Sequence, residues 1–133
     1  MPAVRRAAIA ALRTAGITTT PVVTGQDADL SAVRRLIAGT QYATVFKNIA
    51  MQARIAADAA KALAAGDEPT AWDEIDGVPS VVLDPVLVTA GDVDRVIVTT
   101  GLYTIADICA PDLIDACLAV GVPADRLSPR LEG

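Results

Sequence analysis

VVTGQDADLSAVRRLIAGTQYATVFKNI, residues 22–49, decides the fold. A β-branched run over Thr18–Thr24 reads as a strand, and Tyr42–Phe46 reads as a second one. Between them, Asp29 is placed to cap a helix that runs through Leu36 and stops at Gly39. Strand, helix, strand at this spacing predicts an α/β fold with a parallel sheet and flanking helices. In such a sheet, ligands sit at the carboxyl ends of the strands. Asp27 lies just past the first strand and Lys47 ends the second, so the expected sheet puts an acid and a cation at one edge.

The same periodicities extend in both directions. Val4–Ala15 predicts a helix with Val4, Ala8, Ile9 and Leu12 on one face, ending at Gly16. Asn48 opens a long helix, Ile49–Ala65, stopped by Gly66. Asp67–Pro79 reads as a polar loop holding Trp72. Ser80–Val88 is extended but interrupted by Asp84-Pro85, because proline is unfavourable inside a sheet. Asp92–Val98 and Pro111–Val120 read as short helices, the second ending at Gly121. Val23 and Val45 are the expected core residues of the adjacent strands.

Composition narrows the function. The chain has 133 residues, 53% hydrophobic and 20% charged, which suits one globular domain, 1–133. Aromatics are only 3%. The core must therefore be aliphatic, as in parallel strands covered by alanine-rich helices. A net charge of −5 and scattered arginines argue against nucleic-acid binding. No apolar stretch reaches the ~18 residues needed to span a bilayer. The opening, MPAVRRAAIAALRTAG, reads better as a helix than as a signal peptide. There is no histidine, so Ser-His-Asp, Cys-His and histidine-based metal sites are excluded. No phosphate-binding glycine motif is present. No cofactor is implied.

A carboxylate beside an ammonium is suited to vicinal hydroxyls: Asp27 accepts from one while Lys47 donates to another. The plainer alternative makes Asp27 part of an Asx turn before the helix and Lys47 a solvated strand end. The pattern GQDADL, then R-L-I-AGTQ, then TVFK, within residues 24–49, resembles the C-terminal lobe of periplasmic D-xylose-type sugar-binding proteins. These are ABC-transporter receptors of the ribose/galactose-binding superfamily, with a type I periplasmic binding protein fold. Weaker likeness continues through KALAAGDEP, VPSVVLDPVLVT and the Leu113–Gly121 tail. The resemblance implies a sugar receptor rather than an enzyme. It makes Asp27 and Lys47 the sugar contacts, a pentose the ligand, an ABC permease a partner, and the periplasm or cell exterior the location.

A full receptor of this kind has two lobes that close on the sugar by hinge motion. By resemblance this chain is an incomplete C-terminal lobe, either a fragment of a longer receptor or a reduced relative. One partial lobe is expected to bind sugar weakly unless a second chain completes the site. Thr20–Thr24 would be left as an apolar strand edge, guarded only by Pro21. That predicts a homo-oligomer, in the simplest case a two-fold dimer.

The remaining polar residues have plain roles in this reading. Trp72 anchors its loop, with stacking on a sugar as the alternative. Arg34 and Arg35 form a solvated helix face. Gln26 and Gln41 bond within turns. Cys109 and Cys117 can bridge only if the chain turns at Ala110-Pro111, and the sequence leaves that open. Three function classes follow: a sugar-binding module, a non-binding structural or regulatory remnant of a receptor, and an enzyme. The last is weakest, because nothing supplies an activated nucleophile or an oxyanion hole.

Overall fold

The computed structural model describes residues 2–17, 22–71 and 73–127, with side chains from residue 7 onward. Trp72 and the first part of the Thr18–Thr24 strand, including Pro21 of its edge, lie outside the described residues. The close contacts group the chain into two compact units: Met1–Phe46 with Val86–Gly133, and Lys47–Pro85. The sequence reading treats 1–133 as one domain.

In the first unit, α1 (Pro2–Thr14) buries Ile9 from its predicted apolar face and leads into Gly16 at φ 66°. The second helix, α2 (Leu30–Ile37), starts where the sequence places it. Asp29 accepts the Ala32 N–H at 3.0 Å, satisfying one of the open donors of the first turn. Its apolar positions Val33, Leu36 and Ile37 recur at helical spacing and are buried.

Strand β1 (Thr44–Phe46) follows. The Val23–Gly25 segment runs parallel to it, joined by the Thr24–Ala43 bridge. Tyr42 N–H donates to the Val23 carbonyl, Gly25 N–H to Ala43 and Val45 N–H to Gly25, at 2.8, 2.8 and 3.2 Å. The parallel relation predicted between the two runs is thus present as a short stretch. The wider expectation of a parallel sheet needs correcting. The paired ladder of β1 is with β4 (Val86–Val88), which runs antiparallel with Thr44 opposite Val88.

Burial also inverts one prediction. Thr44 and Phe46 are buried, while Val45 between them is only half-buried, as is Val23. Alternation along a strand sends neighbours to opposite faces, and here the even positions face the core.

Past β4 the chain stays helical but irregular. Thr89 and Asp92 cap each other around a 3₁₀ turn, Ala90–Asp92. The predicted Asp92–Val98 helix is a π-turn over Val93–Val98, burying Val93, Val96 and Ile97. Its wider winding shows in the Thr99 N–H bonding back to the Asp94 carbonyl at 3.1 Å. A helix absent from the sequence reading, α4 (Ile105–Ile108), is capped by a second reciprocal pair, Thr104 with Asp107. The predicted final helix divides into a 3₁₀ turn, Pro111–Leu113, and α5 (Ile114–Ala119), and α6 (Ala124–Leu127) follows. Cys109 and Cys117 are bridged, with Cα atoms 6.1 Å apart. The turn at Ala110-Pro111, which the sequence required for a bridge, brings them together. Around the bridge, Val33, Leu36, Ile97, Ile108 and Val122 form one apolar core.

The second unit opens with α3 (Ile49–Ala65), bounded as the caps predict. Asn48 accepts the Met51 N–H at 3.0 Å, and Gly66 takes the left-handed conformation, φ 82°. The segment expected to be a polar loop instead holds a hairpin, β2 (Asp73–Ile75) with β3 (Val78–Ser80). Asp76-Gly77 makes its turn, with φ 51° and 77°. Positive φ at both positions is what a two-residue hairpin of right-handed twist requires. No described residue of 47–85 is buried.

Candidate functional site

Asp27 sits in the first unit, in the turn that carries the chain from the parallel segment into α2. The backbone there is unusual. Asp27 has φ 74° and Ala28 φ 45°, two consecutive non-glycine residues in the left-handed region. Such conformations cost of order 1–3 kcal/mol each and persist only where the surroundings hold them. Ala28 is fully buried and is part of the core, while Asp27 is exposed. The small side chain turns inward and fixes the loop, and the acid is presented outward.

Lys47 directly follows β1 and opens the second unit. It is exposed and lines an open cavity of about 290 Å³. Asn48, Gln52 and Asp84 supply the other polar groups of that cavity, and Ile55, Val81 and Leu83 its apolar wall. The hairpin is tied to this wall by Asp73, which accepts the Val82 N–H at 3.1 Å. A cationic donor, two amides and a carboxylate over an aliphatic floor match a small polyhydroxylated ligand, whose hydroxyls both donate and accept.

Asp27 and Lys47 therefore follow the carboxyl ends of two parallel strand segments and belong to different compact units. Asn48, Gln52 and Asp84 were not singled out from the sequence as ligand groups. Asn48 was legible only as a helix cap and Asp84 only as part of a strand break. Gln41 bonds as predicted, its Nε2 donating to the Ala43 carbonyl at 2.9 Å. Arg34 and Arg35 are not a solvated face: Arg34 Nε donates to the Asp107 carbonyl and Arg35 Nε to Gln41 Oε1, both at 3.0 Å. Among the described residues, no cluster of acidic or cysteine side chains is arranged to hold a metal, and no helix is long and apolar enough to cross a membrane.

Comparison with known proteins shows what the chain is similar to. The family described as periplasmic binding protein domain matches residues 3–68. The D-xylose-binding periplasmic protein of Escherichia coli is 36% identical over 72% of this chain and 30% of its own length. The multiple sugar-binding periplasmic receptor ChvE of Rhizobium radiobacter is 36% identical over 62% of this chain and 25% of its own. An ABC transporter solute-binding protein of Clostridium phytofermentans, solved with bound β-D-glucose, superposes with TM-score 0.69 and 27% identity. That match covers 75% of this chain and 33% of the other. A carbohydrate-transporter solute-binding protein of Chloroflexus aurantiacus, in complex with D-glucose, gives TM-score 0.62 at 33% identity, over 65% and 26%.

The fold and these likenesses define a mixed α/β relative of the periplasmic sugar-binding proteins. The particular relatives are a D-xylose-binding periplasmic protein and a multiple sugar-binding periplasmic receptor, binding components rather than enzymes. The chain spans 25–30% of the length of these curated relatives.

Proposed function

We propose that this chain is a sugar-binding element of a periplasmic receptor system, with a pentose such as D-xylose as ligand and Asp27 and Lys47 as contacts. The observation that carries this reading is the strained turn at Asp27. Backbone strain held by a buried neighbour, with an acid presented outward, is the construction expected of a binding residue. The surroundings of Lys47 support it, since their polar groups and aliphatic wall suit a sugar better than a charged or apolar ligand.

Under the same reading the chain is exported to the periplasm, delivers its ligand to an ABC permease, and works as a homo-oligomer, most simply a two-fold dimer. The surface available for that assembly is apolar: Ile49, Met51, Leu63, Ile75 and Val78 are each more than half exposed. Burying exposed apolar side chains against a second copy would favour such an assembly. Light scattering coupled to size exclusion tests the dimer, and a single species at 13.7 kDa would rule it out.

Calorimetric titration with D-xylose tests the binding itself. Heat that disappears in Asp27→Ala supports the proposal. No heat at millimolar sugar would favour a non-binding remnant of the receptor fold.

A further inference from the structure

The ends of the Asp27 turn are joined to each other by a chain of side-chain hydrogen bonds. At the entrance, Gly25 N–H donates to the Ala43 carbonyl at 2.8 Å, and Gln41 Nε2 donates to the same oxygen at 2.9 Å. Gln41 is 3% exposed, so its amide is committed to these partners. Its Oε1 accepts from Arg35 Nε at 3.0 Å, and Arg35 Nη1 donates to Ser31 Oγ at 3.0 Å. Ser31 Oγ in turn donates to Asp29 Oδ1, which also accepts the Ala32 N–H. Asp29 is the exit of the turn. Only Gln26, Asp27 and Ala28 lie between the two ends.

We infer that Arg35 and Gln41 are positioning residues that hold this turn in its left-handed conformation and so aim Asp27. Neither carries the ligand. Arg35 is the bridge because its planar fork reaches Gln41 with one nitrogen and Ser31 with another, a geometry an ammonium cannot reproduce. Main-chain bonds set the bridge in place: the Arg35 carbonyl accepts the N–H groups of Thr40 and Gln41 at 3.0 and 3.2 Å. The consequence for sugar binding rests on the function proposed above; the consequence for the backbone does not.

The test uses the full chain and reads the backbone directly by NMR. Residues with positive φ bring their own amide and α protons together, so Asp27 and Ala28 should each show a strong intraresidue cross-peak. Arg35→Met removes both links of the bridge. Gln41→Glu keeps the acceptor for Arg35 but places an oxygen against the Ala43 carbonyl. Both variants should lose the strong cross-peaks at Asp27 and Ala28 while core resonances of Leu36 and Ile97 stay in place, and Arg35→Lys should not restore them. Retention of the cross-peaks in both variants would overturn the inference. If Arg35→Met does not fold, Gln41→Glu decides alone.

D-Xylose titration then separates the two claims. Weakening by roughly tenfold or more in both variants, comparable with Asp27→Ala, is expected from misplacement of a contact. Cross-peaks lost with no sugar bound by the wild type would sink the sugar proposal and leave the positioning role standing. Cross-peaks kept alongside a wild type whose binding depends on Asp27 would do the reverse.

Discussion

Arg34 reaches across from α2 to α4, its Nε donating to the main-chain carbonyl of Asp107 at 3.0 Å and its Nη2 donating to the same oxygen. The carbonyl lies near the end of a four-residue helix that cannot satisfy it internally. Charge-assisted bonds of this kind contribute more than neutral ones. Arg34→Met should therefore destabilise the chain by about 1–2 kcal/mol, measured by urea denaturation. An unchanged midpoint would show that the contact carries no net stability.

The Cys109–Cys117 bridge closes a short loop beside buried Ile108 and Val122. In the chain-entropy account, a loop of this size stabilises by roughly 2–3 kcal/mol. The double substitution Cys109→Ala, Cys117→Ala should lower the unfolding free energy by about that amount, and reduction with dithiothreitol should do the same. Equal stability with and without reductant would mean that the bridge only follows a fold already made.

Asp92 gives the chain a specific acid response. Hydrogen bonds from Thr89, then from Arg95, hold its carboxyl down at about 2 against an ordinary 3.8. Asp107 is lowered by Thr104 in the same way. A carboxyl depressed in the folded state adds stability above its unfolded pKa and loses it as pH falls toward the folded one. The melting temperature should thus fall between about pH 4 and pH 2. Asp92→Asn should shrink that fall. An equally steep fall in the variant would place the acid response elsewhere.

Much of this was readable in the chain, and the exceptions have physical causes. Helices bounded by local chemistry were legible: Asn48 and Gly66 fix α3, and Asp29 fixes the start of α2. Asp76-Gly77 carried an equally local hairpin signal, but the polar residues around it masked the strands. The antiparallel course of β4 was not legible, because strand direction is set by where the returning chain packs and not by the Val86–Val88 run. Asp27 could be placed beyond a strand, yet its left-handed backbone depends on buried Ala28 and on Arg35, which is seven and eight residues away from them in the chain. Arg35 itself looked like solvent-facing charge, although Ser31 lies one turn back on α2 and Gln41 is brought within reach just past the turn at Gly39.

Thr44 shows how burial alters the meaning of a residue. It is fully buried opposite Val88, and its hydroxyl has no hydrogen-bond partner among the described residues. Such a group costs roughly 1–3 kcal/mol relative to a satisfied one. Thr44→Val should raise the unfolding free energy by about 1 kcal/mol. A loss of stability would indicate that the hydroxyl is paired in solution.

The central claim is that sugar is held through Asp27 and Lys47. Amide chemical-shift mapping during titration with D-xylose tests it most directly, because it registers weak binding and locates it. Shifts are expected at Gly25–Asp29 and at Lys47 and Asn48, saturating with one apparent affinity and abolished in Asp27→Ala. Absence of shifts at tens of millimolar sugar (a range chosen to reveal weak affinity), or the same shifts in Asp27→Ala, would contradict it.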